Sequence, residues 1–190
     1  LKKCKNCFKR ENNSLTISIK DHDSIVFIDK FPVKEPCDPT KLYVANDYWP
    51  EINTLIIEEI HALGADCEYS YQFLNLNNKS SIQLLNKPEP NRLSSNKKLL
   101  VEFNFYDGPC GYSPLRLFEI TDGVFQSKLN LGTEVIERIM KKEPEDVSIT
   151  HKWIDNETIA FYITKPNSKV PLTRPIFQII KQNGEWQLKS

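Results

Sequence analysis

The chain has 190 residues, 25 Lys and Arg against 25 Asp and Glu, and 39% hydrophobic with 11% aromatic residues. Balanced charge excludes a wholesale nucleic-acid binder, whose footprint is a basic domain, and the apolar content excludes a charge-extended disordered chain. The length suits a single domain with an appended arm, and no apolar run approaches the ~18 residues that a membrane-spanning helix needs.

Residues 1–13 are basic, polar and without apolar period, which predicts a flexible N-terminal arm ahead of one domain at 14–190. Leu15-Thr16-Ile17-Ser18-Ile19 alternates with period two and meets Ile25-Val26-Phe27-Ile28 through an Asp21-His22-Asp23 turn, a hairpin pattern. Pro32, Pro36 and Pro39 make 31–46 an irregular connection. Trp49, Ile52, Ile56, Ile60 and Leu63 then recur at steps of three and four. With Asp47 as cap, Pro50 in the first turn and Gly64 as the stop, they predict the main helix over 48–63.

Tyr69, Tyr71 and Phe73 alternate with polar residues, and Ile82-Gln83-Leu84 follows an Asn77-Asn78-Lys79 turn, so two further strands are expected. The Pro, Asn, Ser and Lys content of 86–98 reads as a mobile basic loop. Leu99, Val101, Phe103 and Phe105 line one face of a strand, and Asp122-Gly123 joins two more. A short helix at 133–142 buries Val135, Ile136, Ile139 and Met140, ending at Lys141-Lys142 before Pro144. Two hairpins close the chain, with Asp155-Asn156 and Asn183-Gly184 as left-handed turns. The fold class these elements predict is α+β: a curved antiparallel sheet with helix 48–63 packed on it and the second short helix at one end.

Five cysteines are present, Cys4, Cys7, Cys37, Cys67 and Cys110. Cys4-x-x-Cys7 has neither the second pair that a structural zinc site uses nor the strand-to-helix setting of a thioredoxin-like motif. Scattered single cysteines in a chain that begins at Leu1 fit a processed periplasmic or secreted protein, with Cys67, Cys110 and Cys37 as disulfide candidates. A Cys67–Cys110 bridge would contribute roughly 2–4 kcal/mol.

Candidate chemistry is sparse. In Asp107-Gly108-Pro109-Cys110-Gly111, Cys110 could serve as a nucleophile with His151 as base and Asp155 or Asn156 as its orienter. No helix N-terminus or basic group is expected there to hold a thiolate, so a disulfide-bearing turn is the preferred reading. His22, His61 and His151 share no metal-ligand spacing, and no metal site is expected. Six glycines, none clustered at a strand-to-helix junction, provide no phosphate loop, and no cofactor is expected.

Charge is unevenly spread. Residues 1–41 carry nine basic and six acidic side chains, 42–78 none and six, 79–98 five and one, and 99–190 eleven and twelve. The main helix thus falls in a block whose charges are Asp47, Glu51, Glu58, Glu59, Asp66 and Glu68. Either the neighbouring basic stretches neutralise that block in space, or it steers a basic partner. The function expected is a non-enzymatic extracytoplasmic binding protein that recognises another protein with a basic surface. An acidic helix bearing Asp47, Glu51, Glu58 and Glu59 would make the contact. An inhibitor or immunity-type role against a secreted toxin suits that physical type, although no motif identifies such a family. The alternatives are a small cysteine-dependent hydrolase using Cys110, His151 and Asn156, and a carrier of an apolar ligand between helix 48–63 and the aromatics Tyr69, Tyr71, Phe73, Phe103 and Phe105.

Overall fold

In the computed structural model the residues described are 4, 6–30, 40–63, 66–85, 87, 89–103, 114–140, 148–164 and 174–189. They divide into two units, one of Leu1–Pro90 with Thr121–Phe125 and one of Asn91–Ile120 with Gln126–Ser190.

The first unit holds two antiparallel sheets. Strands β1 (Phe8–Glu11), β2 (Ser14–Ile17) and β3 (Ile25–Ile28) form one, in the order β1-β2-β3. Strands β4 (Thr40–Trp49), β5 (Thr54–Leu63), β6 (Asp66–Asn75) and β7 (Ser81–Leu84) form the other, in chain order. Leu15 and Ile17 of β2 share one buried core with Ala45, Leu55, Ile57 and Leu74 of the larger sheet. Cys4 is buried in the same core, and Phe8 and Phe27 pack against it. Residues 8–11, assigned from sequence to a flexible arm, are therefore a paired strand. The opposite face of the larger sheet buries Trp49, Ile56 and Phe73, with Trp49 edge-on to Phe73 at 5.1 Å and Phe125 edge-on to it at 6.3 Å.

The expected helix 48–63 is absent, and with it the single curved sheet that was to cover it. Trp49 ends one strand, Pro50–Ile52 form one 3-10 turn, and Asn53 closes it in the left-handed conformation, φ 45° and ψ 48°, with its N–H donating to the Pro50 carbonyl at 3.3 Å. Proline suits this turn as well as it suits a helix start. Beyond it, Thr54, Ile56, Ile57 and Ile60 are β-branched, a class that favours extended backbone. Leu55, Ile56 and Ile57 are buried on alternating faces of a strand covered on both sides. Such a strand loses its period-two signature and admits a helical reading.

The second unit contains the sheet β10-β9-β8, from β8 (Leu99–Glu102), β9 (Leu115–Thr121) and β10 (Val124–Leu131) apart from the Thr121–Phe125 stretch, and a sheet β11-β12-β13-β14. The latter runs through β11 (Ser148–Trp153), β12 (Thr158–Thr164), β13 (Phe177–Gln182) and β14 (Glu185–Lys189), all antiparallel. Helix α1 (Thr133–Met140), predicted as 133–142, buries Ile136 in a core with Leu117, Ile159, Phe161, Phe177 and Ile179. Phe161 and Phe177 stack at 4.4 Å. Of the expected loop 86–98, Leu93 and Ser94 are buried, and Leu93 bridges to Leu100. Asp122-Gly123 and Asn183-Gly184 adopt the left-handed turns their sequence predicts. Asp155-Asn156 does not. Its turn is closed by Asp155 Oδ1, which accepts from the Glu157 N–H at 2.7 Å.

Candidate functional site

The acidic residues expected on one helix face are distributed over the β4-β5-β6-β7 sheet. Glu51 is exposed in the 3-10 turn. Asp47 follows a β-bulge between Ala45 and Asp47, where its carboxylate accepts from the Tyr48 N–H at 2.8 Å and from Trp49 Nε1–H at 3.3 Å. Glu58 and Glu59 are neighbours in β5, so their side chains leave opposite faces of the sheet.

Glu59 lies on the face that also carries Leu55 and Ile57, and it is fully engaged. Its carboxylate meets Lys41 Nζ at 2.5 Å and His61 Nε2 at 2.5 Å. Burial pushes its pKa up, but the bonds to Lys41 and His61 outweigh burial and hold it below the ordinary carboxylate value. Lys41 is the mirror case: burial pulls its ammonium down, the contacts with Glu59 and Tyr43 outweigh that, and the net shift is upward. Lys41 Nζ also sits 5.3 Å from the Tyr43 ring centroid.

Glu58 lies on the other face, directly between Val44 of β4 and Tyr71 of β6. It accepts from Asn46 Nδ2–H at 2.9 Å and from the Tyr71 hydroxyl at 3.0 Å. Burial, then the bond to Glu58 and the Glu58 charge, push the Tyr71 phenol up to about 12. Both partners of Glu58 are neutral donors, and no Lys, Arg or His among the described residues lies within ion-pair distance of it. Around it the same face shows Val44 at 42% and Tyr69 at 50% exposure, with Leu42 and Ile60 half-buried. The arrangement is a half-buried carboxylate rimmed by apolar and aromatic side chains, which can receive a cationic group. Asn46 and Val44 were not legible from sequence, and Tyr71 was legible only as a ligand-cavity aromatic, because the strand register and the bulge at 45–47 bring them beside Glu58.

Of the residues named in the hydrolase alternative, His151, Asp155 and Asn156 are described. His151 Nε2 lies 3.1 Å from the Asn91 carbonyl, and a carbonyl only accepts, so Nε2 carries the proton there. The His151 ring stands edge-on to Phe103 at 4.9 Å. Asn156 Oδ1 accepts from the Ser95 hydroxyl at 3.3 Å. Cys110 and Cys37 lie outside the described residues, as does the side chain of Cys67, so the expected disulfide candidates lie there too. The pair that is bonded among the described residues is Cys4–Cys7, which is not one of the candidates read from sequence. With no helix at 48–63, the ligand space expected behind it is also gone, and Phe73 is plain core. Among the described residues no group of three His, Cys, Asp or Glu is placed to hold a metal, and no helix is long and apolar enough to cross a membrane.

Searches against protein-family models, curated proteins and solved structures found no match to the chain.

Proposed function

We propose that the chain is a non-enzymatic binding module that recognises another protein, and that it receives a basic side chain of that partner at Glu58. The carrying observation is the carboxylate itself: half-buried, hydrogen-bonded among the described residues to the neutral donors Asn46 and Tyr71, and bordered by exposed Val44 and Tyr69. A Lys or Arg entering there gains the charge contact while its aliphatic stem covers Val44 and its cationic end can lie against Tyr69. The Cys4–Cys7 disulfide supports an oxidising, extracytoplasmic compartment. An inhibitor or immunity-type role against a secreted toxin is the form of the proposal that joins these two features.

The test is affinity capture from the extracytoplasmic fraction of the source organism, followed by binding kinetics of each captured protein after purification. Wild type and Glu59→Gln should bind alike, whereas Glu58→Gln should bind about tenfold more weakly, the ~1.4 kcal/mol of one partly desolvated charge contact. Equal affinity for wild type and Glu58→Gln would remove Glu58 from the interface and sink the proposal.

A further inference from the structure

β3 ends the β1-β2-β3 sheet, and half of its backbone has no partner among the described residues. The Asp29 N–H donates to the Asn13 carbonyl at 2.8 Å, which fixes the parity of the strand: Ile25, Phe27 and Asp29 turn their N–H and C=O groups toward β2, and Val26, Ile28 and Lys30 turn theirs away. Lys30 exchanges its outward groups with Lys41 of β4, at 2.9 and 2.8 Å. Those of Val26 and Ile28 meet no described group. The side chains of these two residues stand on the outer face of the sheet, opposite Thr16 and Ser14, at 53% and 60% exposure. Proteins ordinarily blunt such an edge with charge or proline, and Ile25-Val26-Phe27-Ile28 has neither.

We propose that this edge is a self-association surface that takes β3 of a second copy in antiparallel register. A two-fold axis at Phe27 sets Val26 of one copy against Ile28 of the other, twice, and each such pair exchanges two backbone hydrogen bonds. The four bonds satisfy the free groups of Val26 and Ile28, and pairing stops at Lys30, whose groups Lys41 already holds. Charge favours the same arrangement. Asp21 and Asp23 are exposed where the chain enters β3 and Lys30 is exposed where it leaves, so antiparallel pairing turns the lysine end of one strand toward the aspartate end of the other. Parallel pairing would set like charge beside like. The contact is independent of the Glu58 face, which belongs to the other sheet.

Sedimentation velocity over a concentration series tests it, with the wild type and a Val26→Lys/Ile28→Lys double variant whose changed side chains point outward. The wild type should pass from monomer to dimer as concentration rises, and the double variant should raise the dissociation constant about tenfold or more, because lysines then face each other across the axis. Hydrogen exchange on the wild type keeps the test open if the variant fails to fold. The Val26 and Ile28 amides should slow with concentration, and the Phe27 amide, already bonded to β2, should not. A wild type monomeric up to about 1 mM, a dimer indifferent to the two lysines, or concentration-independent exchange at Val26 and Ile28 would overturn the proposal. Pairing only with an extended segment of a different protein would overturn the choice of a second copy.

Discussion

Alkaline titration probes the Glu58–Tyr71 contact directly. The Tyr71 phenol is buried and donates to Glu58 at 3.0 Å, and burial together with that charge-assisted bond raises its pKa from 10.0 to about 12. Below pH 10 the phenol is protonated in both the folded and the unfolded chain, and its contribution to stability is fully present. Between pH 10 and about 12 the unfolded chain releases the proton first, so stability falls as pH rises. At ~1.4 kcal/mol per unit, the two-unit gap amounts to about 2–3 kcal/mol across that window. Urea unfolding of wild type and Tyr71→Phe at a series of alkaline pH values isolates the component, since titration of the lysines is common to both proteins. The wild type should lose stability relative to Tyr71→Phe by that amount, and phenolate absorbance should show one tyrosine ionising well after the others. Glu58→Gln should bring that ionisation part of the way back toward 10, because burial persists when the charge is gone. Parallel stability curves for wild type and Tyr71→Phe would refute the reasoning, as would a phenol that ionises with the rest.

Two structural devices in the first unit make further predictions. Asp29 is buried and is held by an ion pair with Arg10, which also donates to the Tyr43 carbonyl at 2.9 Å. Arg10→Ala leaves that buried carboxylate with the Tyr43 N–H at 3.1 Å but no counter-charge and should cost about 2–3 kcal/mol in chemical denaturation, whereas a loss under about 1 kcal/mol would rank the pair with exposed ion pairs. Gly123 and Gly184 both have positive φ, 77° and 84°, but a Cβ at Gly123 would fall on the Asn75 amide, while at Gly184 it meets open space. Asn75 cannot readily yield, since it is buried, donates to the Ile52 carbonyl at 2.8 Å and accepts from the Asn77 N–H at 2.9 Å. Gly184→Ala should therefore cost about 1 kcal/mol and Gly123→Ala clearly more; equal thermal midpoints for the two variants would contradict this packing.

The parts of the fold that could be read from sequence are those where local chemistry leaves one solution. Asp122-Gly123 and Asn183-Gly184 need left-handed backbone at both positions, and both form hairpin turns. Leu15 and Ile17 alternate with polar residues because one side of β2 is wet, and Ile136 sits at helical spacing with Ile139 because only one side of α1 is covered. The segment 48–63 lacked that asymmetry. With Leu55, Ile56 and Ile57 all buried, tertiary burial erased the alternation, and spacings of three and four arose from residues on different faces: Trp49 and Ile56 point one way and Leu55 and Ile57 the other. Residues 8–11 carry no strand signal for the opposite reason, since Lys9, Arg10 and Glu11 are exposed on a strand that buries almost nothing.

The same change of period reshapes the acidic block. On a helix, Glu58 and Glu59 would stand about 100° apart and present their charge together; on a strand they part to opposite faces. One meets Lys41, a residue 18 positions away that only the β4-β5 register brings near, and is neutralised. The other meets the neutral donors Tyr71 and Asn46. Lys41 is the last cation of the basic stretch before the block, so the two regions do cancel in part, through strand pairing and not through a loop folding over a helix. Of the four carboxylates first assigned to a partner, Asp47 is occupied by its own turn and Glu59 by its ion pair. Glu51 stands apart in the turn, which leaves Glu58 as the carboxylate on the apolar-rimmed face. A partner steered by four aligned charges would bind with a steep salt dependence, whereas one that docks on this face should respond to salt as to about one buried contact.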